Sequence, residues 1–338
     1  MVNETGAAQQ DDGGQEWIHI PVSDAAAIEV DEAYGDELLD DTTSVASTIY
    51  RHRYEHGRRY SKFRENSYWG PNDDIQNDQL DIAHHMVRVL LDDKLYLCPI
   101  KEPQRVLDLG CGTGIWCIDF ADEHPGAEVI GVDISPIQPE FVPPNCKFEL
   151  DDICDPWTYP ENHFDFIHIG SLLGSIADWP KLYEEIYNHL APGGYLCQLE
   201  MDIRFKSDDG TVPDDHIMAI WSKTFIEAGE KFGKTFKIAE KCKQYIIDAG
   251  FEDVHQVKYK LPCGGWSSDP KMKEVGRWNF LHCYQGAEGW ALFLCTHVLE
   301  WKIEEARVFI AQFRKAVKDR NTHSYFEVVS VYGRKPLE

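Results

Sequence analysis

Residues 106–114 read VLDLGCGTG, and no other stretch of the 338-residue chain constrains its fold as tightly. Val106-Leu107-Asp108-Leu109 is the apolar run of a strand buried on both faces of a parallel sheet. Gly110, Gly112 and Gly114 then make a turn with no side chains in the way, and Ile115-Trp116-Cys117-Ile118 opens an apolar stretch expected to be helical. A strand, a glycine turn and a helix in that order present backbone N–H groups to a ligand. The dinucleotide pattern G-x-G-x-x-G would place its third glycine at position 115, which is Ile115. The spacing here is D-x-G-x-G-x-G, with Asp108 two residues before the first glycine. An acid at that place suits a ligand with a cationic end rather than a pyrophosphate, which disfavours nicotinamide chemistry.

Further strand ends follow in order. Glu128-Val129-Ile130-Gly131-Val132-Asp133 is a short apolar strand ending in an acid, 23 residues after Gly110. A carboxylate there can hydrogen-bond both hydroxyls of a ribose. Residues 147–153 form a third strand ending in the pair Asp152-Ile153, and residues 164–170 a fourth containing His168. Residues 179–190 read as a helix, and Ala191-Pro192-Gly193-Gly194 as the turn into a fifth strand. Open parallel sheets bind ligands at the carboxyl ends of their strands, where all of these residues fall. Taken alone, the glycine triplet could be a plain turn, and Asp133 and Asp152 could be solvated acids.

The glycine stretch resembles motif I of class I S-adenosylmethionine (SAM)-dependent methyltransferases. That resemblance implies an α/β, Rossmann-like fold with a seven-stranded, mostly parallel sheet of order 3-2-1-4-5-7-6. Residues 251–260 would be the sixth strand and 328–332 the antiparallel last one. It also implies a SAM site. Asp108, Gly110, Cys111, Gly112 and Gly114 would serve the methionine end, Asp133 the ribose, and Ile134, Asp152 and Ile153 the adenine, with His168 alongside.

Charge is unevenly distributed. The formal net charge is −25, yet the first fifty residues hold twelve acids and no Lys or Arg. Residues 1–49 are therefore expected to be an acidic disordered tail, and 50–338 a single methyltransferase domain. A cluster of Arg51, Arg53, Arg58, Arg59, Lys62 and Arg64 is interleaved with Tyr50, Tyr54, Tyr60 and Phe63, and is expected to be an amphipathic helix. The body remains acidic, so a surface that tracks nucleic-acid phosphates is not expected. Ten cysteines without a C-x-x-C pair, and no run long enough to span a membrane, point to reduced, mostly buried thiols in an intracellular protein. Its compartment would be the cytoplasm, the nucleus or both. His52 and His56 are helix-spaced and His84-His85 adjacent, but no Cys or carboxylate set stands near them at ligand spacing, so no metal is expected.

Three segments narrow the resemblance: YWGPNDDIQNDQLDIAHH (68–85), residues 116–144 with DFADEHPGAEVIGVDISPIQPEFVPP at their heart, and EVVSVYGRKP (327–336). Together they resemble the fungal LaeA-like methyltransferases of secondary metabolism, over roughly residues 50–336. Membership implies SAM binding. It leaves open whether the chain methylates a small molecule or a protein, or regulates through velvet-type partners. Independently of the name, Pro71-Asn72-Asp73 is a turn able to cap a following helix, whose apolar face (Leu80, Ala83, Met86, Val87, Leu90) could fold over the ligand.

Insertions at 203–236 and 262–321 should cover the open end of the sheet. The second is rich in aromatic residues (Trp266, Trp278, Phe280, His282, Tyr284, Trp290), either as the core of a helical cap or as the lining of an acceptor pocket. SAM brings an activated methyl, so alignment supplies most of the rate, and a base is needed only for some acceptors. His168 is the first candidate base, though it could equally pack beside the cofactor; His282 and Glu200 are the others.

Overall fold

A computed structural model describes residues 52–65 and 67–338. The acidic tail expected over 1–49 lies outside the described residues.

The described chain opens with a hairpin, β1 (His52–Glu55) and β2 (Arg58–Ser61). This corrects the expectation of an amphipathic helix. His56 and Gly57 form a two-residue turn with φ of 52° and 83°, the left-handed pair that matches the twist of a tight hairpin. The same residues alternate in and out: Arg58 and Tyr60 are buried, while Arg59 and Ser61 are less so. A period of two therefore prevails over the helical one. Tyr50 and Arg51 of that cluster fall outside the described residues.

Seven further strands make one sheet: β3 (Arg105–Leu109), β4 (Glu128–Asp133), β5 (Cys146–Leu150), β6 (Phe164–Gly170), β7 (Leu190–Lys206), β8 (Glu252–Pro262) and β9 (Tyr325–Arg334). Their spatial order is β5-β4-β3-β6-β7-β9-β8, and only β9 runs antiparallel to its neighbours. Counted without the hairpin, this is the order 3-2-1-4-5-7-6 that the resemblance implied.

Helices cover both faces of the sheet, which is why its central strands are continuously apolar. On one side α2 (Ile115–Glu123) packs Trp116 and Phe120 against Val106, Val129 and Phe166. On the other, α3 (Trp179–His189) and α5 (Ile238–Asp248) bury Tyr183, Ile186 and Ile246 against Leu107, Ile167 and Val331. The third core belongs to the cap, built from α1 (Asp74–Leu90), α4 (Ile217–Phe232), α6 (Pro270–Phe293) and α7 (Ile303–Val317), with a π-helical turn (Leu294–Val298) after α6. Trp221 of α4 stacks on Phe313 of α7 with ring centres 3.9 Å apart.

Local signals start the helices. Asp73 caps α1 by accepting from the Gln76 N–H at 3.0 Å, and Asp178 and Asp269 cap α3 and α6 in the same way, with Pro180 and Pro270 in the first turns of those helices. Nine cysteines are buried and Cys154 is exposed. No described helix is long and apolar enough to cross a membrane.

Candidate functional site

Between β3 and β6 the strand order reverses, which opens a crevice beyond their carboxyl ends. Parallel register sets Asp108 beside Gly131 on one side and His168 on the other. The glycine turn then bends back over β4: the N–H groups of Gly110 and Cys111 donate to Val132 O at 2.8 and 3.0 Å. The Gly112 N–H donates to Asp133 Oδ2 at 2.8 Å, and the Ser135 N–H to Oδ1 at 2.8 Å.

Close approach explains the glycines. Gly110, Gly112 and Gly114 have φ of 71°, 55° and 80°. A Cβ on Gly110 would lie 2.4 Å from the Leu172 side chain, and one on Gly114 only 2.2 Å from the Phe148 ring. Gly114 thus packs against Phe148 of β5 and shapes the turn from behind.

A cavity of about 270 Å³ fills the crevice, lined among others by Gly110, Gly112, Asp133, Ile134, Asp152 and Ile153. Burial pushes the Asp133 carboxyl up to about 6, with nearby Asp108 adding to the effect and the two N–H donors opposing it. Asp152 accepts from the Cys154 N–H at 3.0 Å and faces the Arg64 guanidinium at 3.7 Å. Asn72 and Leu172 complete the wall, and the Asn72 Nδ2 is buried without a hydrogen-bond partner. Sequence reasoning missed both of these as wall residues, because they sit on loops with no periodic pattern.

Asp108, Cys111 and His168 lie on the other side of the glycine turn, around a hollow of about 150 Å³ that also touches Gly110 and Gly112. Asp108 Oδ1 is 2.7 Å from His168 Nδ1, and its Oδ2 accepts from the Cys117 thiol at 3.3 Å. Glu200 lines none of these cavities. Fully buried, it accepts at Oε1 from the Leu172 N–H and from Gln198 Nε2, while Tyr183 donates to Gln198 Oε1. Its Oε2 has no partner, and burial raises the carboxyl to about 7. Glu200 therefore braces the crevice wall at Leu172.

Under the cap is a second cavity, of about 130 Å³, lined by Trp69, Gln79, Phe225, Phe236, His282 and Trp290 among others. Gln76 Nε2 donates to Gln79 Oε1 at 2.6 Å, and Gln79 Nε2 meets His282 Nδ1 at 2.5 Å. Burial lowers His282 to about 4, so its ring is neutral near pH 7. The aromatic set of the second insertion divides. His282 and Trp290 line the cavity, whereas Trp278 packs on His85, Tyr284 meets Lys318, and Trp266 donates to Ser324 O. Tyr68, Gln76, Leu80 and Ser171 border both the crevice and the cap cavity.

Comparison with known proteins gives a consistent result. Residues 82–256 match a family described as a methyltransferase domain. Methyltransferase pytC of Aspergillus terreus is 38% identical over 87% of this chain and 91% of its own length. Secondary metabolism regulator LAE1 of Cochliobolus heterostrophus is 35% identical over 84% of this chain and 95% of its own. Protein-methionine methyltransferase laeA of Emericella nidulans is 33% identical over 84% of this chain and 76% of its own.

Proposed function

The chain belongs to the LaeA-like family of SAM-dependent methyltransferases, and on that premise we propose that it passes a methyl group from the strand-end crevice to an acceptor under the cap. The observation that carries this reading is the shared wall: Tyr68, Gln76, Leu80 and Ser171 border both cavities.

The crevice fits SAM in shape and chemistry. Two positive-φ glycines leave backbone where a Cβ on Gly110 would collide, and a carboxylate waits at the end of β4. When bound, SAM supplies a methyl already activated on a sulfonium. Asp133 would hold the ribose, since each carboxylate oxygen keeps a lone pair after accepting one N–H. Ile134 and Ile153 would pack on adenine, with Asp152 taking its exocyclic amine. Gly110, Cys111 and Gly112 would bring backbone to the methionine end, Gly114 would fix the turn, and Asp108 would supply the negative field. His168 would position Asp108 rather than move a proton, because it holds that carboxylate through Nδ1 and is not part of the cap-cavity lining. The cap excludes water and aligns the acceptor, the main source of rate for an activated methyl. Its apolar lining favours a small-molecule acceptor over a protein side chain.

Calorimetric titration with SAM and with NAD tests the reading. Micromolar SAM binding without NAD binding is the expected result; NAD binding in place of SAM would overturn it.

A second reading draws on the identity to LAE1 and laeA over most of the chain. In it the SAM-binding domain works through velvet-type partners, in the nucleus as well as the cytoplasm. Co-purification of such a partner with Asp133→Ala, a variant impaired in SAM binding, would separate this role from catalysis.

A further inference from the structure

Two side chains that line the cap cavity, His282 and Trp69, carry hydrogen-bond donors that no described residue accepts from. Gln76 Nε2 donates to Gln79 Oε1, so the group Gln79 turns to His282 is its own NH₂, and His282 Nδ1 accepts from it. A neutral imidazole that accepts at Nδ1 carries its proton on Nε2. No hydrogen bond to that Nε2 occurs among the described residues, and the ring lines the cavity. The Trp69 Nε1–H is the second donor. The Trp69 side chain lines the same cavity, is more than nine-tenths buried, and its Nε1 has no partner.

No Asp, Glu, Lys or Arg lines the cavity; Met201, Phe225, Phe236 and Phe326 form much of the remainder. A charged ligand would therefore be desolvated without a counter-charge. An unpaired N–H in such a setting is costly, and an incoming oxygen relieves the cost. The volume of about 130 Å³ compares with the roughly 150 Å³ of an apolar protein cavity that admits a benzene ring.

The geometry points to an uncharged ligand about one aromatic ring in size, whose carbonyl or hydroxyl oxygen accepts hydrogen bonds from His282 Nε2–H and Trp69 Nε1–H. This rests on the methyl-transfer reading and names the acceptor class for it. His282 is then a positioning residue that donates to the acceptor, and Gln79 fixes its tautomer. Larger acceptors would have to extend across the border at Tyr68 and Ser171 toward the crevice.

Ligand-observed NMR titration of the full chain with phenol, benzene and benzoate tests the assignment, with SAM titrated in parallel. Phenol should bind at least tenfold more tightly than benzene, and benzoate should not bind. Trp69→Phe, which keeps a ring and loses the N–H, should narrow the phenol–benzene difference threefold or more, and His282→Phe should narrow it as well. Equal affinity for phenol and benzene in the unsubstituted protein would overturn the donor assignment without any variant. Benzoate binding as tightly as phenol would overturn the uncharged class. SAM binding with no ring probe bound would overturn this inference alone, whereas failure of SAM to bind would overturn the methyl-transfer reading beneath it.

Discussion

Asp108 Oδ1 lies 2.7 Å from Nδ1 of His168, directly across the β3–β6 pair, and the imidazole stacks at 3.9 Å on the Trp116 ring. The pair joins the start of the glycine turn to the neighbouring strand. Removing the imidazole leaves a hole beside Trp116 and a buried carboxylate without its partner. His168→Ala should therefore cost about 2–4 kcal/mol of stability in urea denaturation and weaken SAM binding. A variant with normal SAM affinity and stability but a collapsed kcat would instead assign His168 to proton transfer.

Asp133 links SAM affinity to pH. Its carboxyl sits at about 6, and protonation turns an acceptor of hydroxyl protons into a donor. Affinity should be constant above that value and fall as pH drops below it. Asp133→Ala should bind SAM at least tenfold more weakly, about 1.4 kcal/mol, and lose the pH dependence while keeping the wild-type circular dichroism. Calorimetry between pH 5 and 8 reads both effects, and an unaltered affinity in the variant would remove the ribose assignment.

Gly114 begins α2 at φ 80°, with Phe148 where a Cβ would go. Gly114→Ala combines a strained backbone with a clash against an aromatic ring. A loss of about 1–3 kcal/mol is expected, measured by denaturant titration, together with weaker SAM binding.

Arg58 and Arg59 both tie the hairpin to the start of α1, and Asp73 takes the closest of these contacts. Arg58, 5% exposed, donates from Nε and Nη2 to Asp73 at 2.6 and 2.8 Å, and Asp73 also caps α1. Asp73→Ala loses the cap and strands a buried guanidinium, and should cost about 3–5 kcal/mol. Asp73→Asn retains a capping oxygen and should cost less; equal losses in thermal melts would show that the ion pair, not the cap, dominates.

Glu200 should make the protein less stable as pH rises. Its carboxyl, at about 7, lies above the 4.5 of an ordinary Glu, so the folded state holds an extra proton between those values. Stability attributable to this group is full below about 4.5 and declines until pH passes 7. Glu200→Gln removes that decline and should gain about 1–3 kcal/mol relative to the parent at pH 8. Parallel urea curves at pH 5 and 8 check the sign.

The crevice was legible because its residues are tied to chain-local patterns. Val106-Leu107-Asp108-Leu109 alternates with nothing and so must be buried on both faces; Gly110, Gly112 and Gly114 permit a backbone that other residues resist; Asp133 and Asp152 close apolar runs. The hairpin was misread because an interleaved basic and aromatic stretch satisfies periods of two and of 3.6 over so few residues. His56-Gly57 was the signal that could have decided it.

By itself, the sequence determined the doubly covered parallel sheet, the glycine turn and the family, since strand burial, positive φ and motif spacing are properties of neighbours along the chain. Only the tertiary structure decided which residues face a common space. Asp108 meets His168 60 residues away, and Gln79 meets His282 203 residues away. Trp69, in the segment leading into α1, and His282 of α6 come to line one cavity because α1 and α6 pack across each other. Contacts of that kind depend on long loops closing and on helices meeting face to face, and no local periodicity records them.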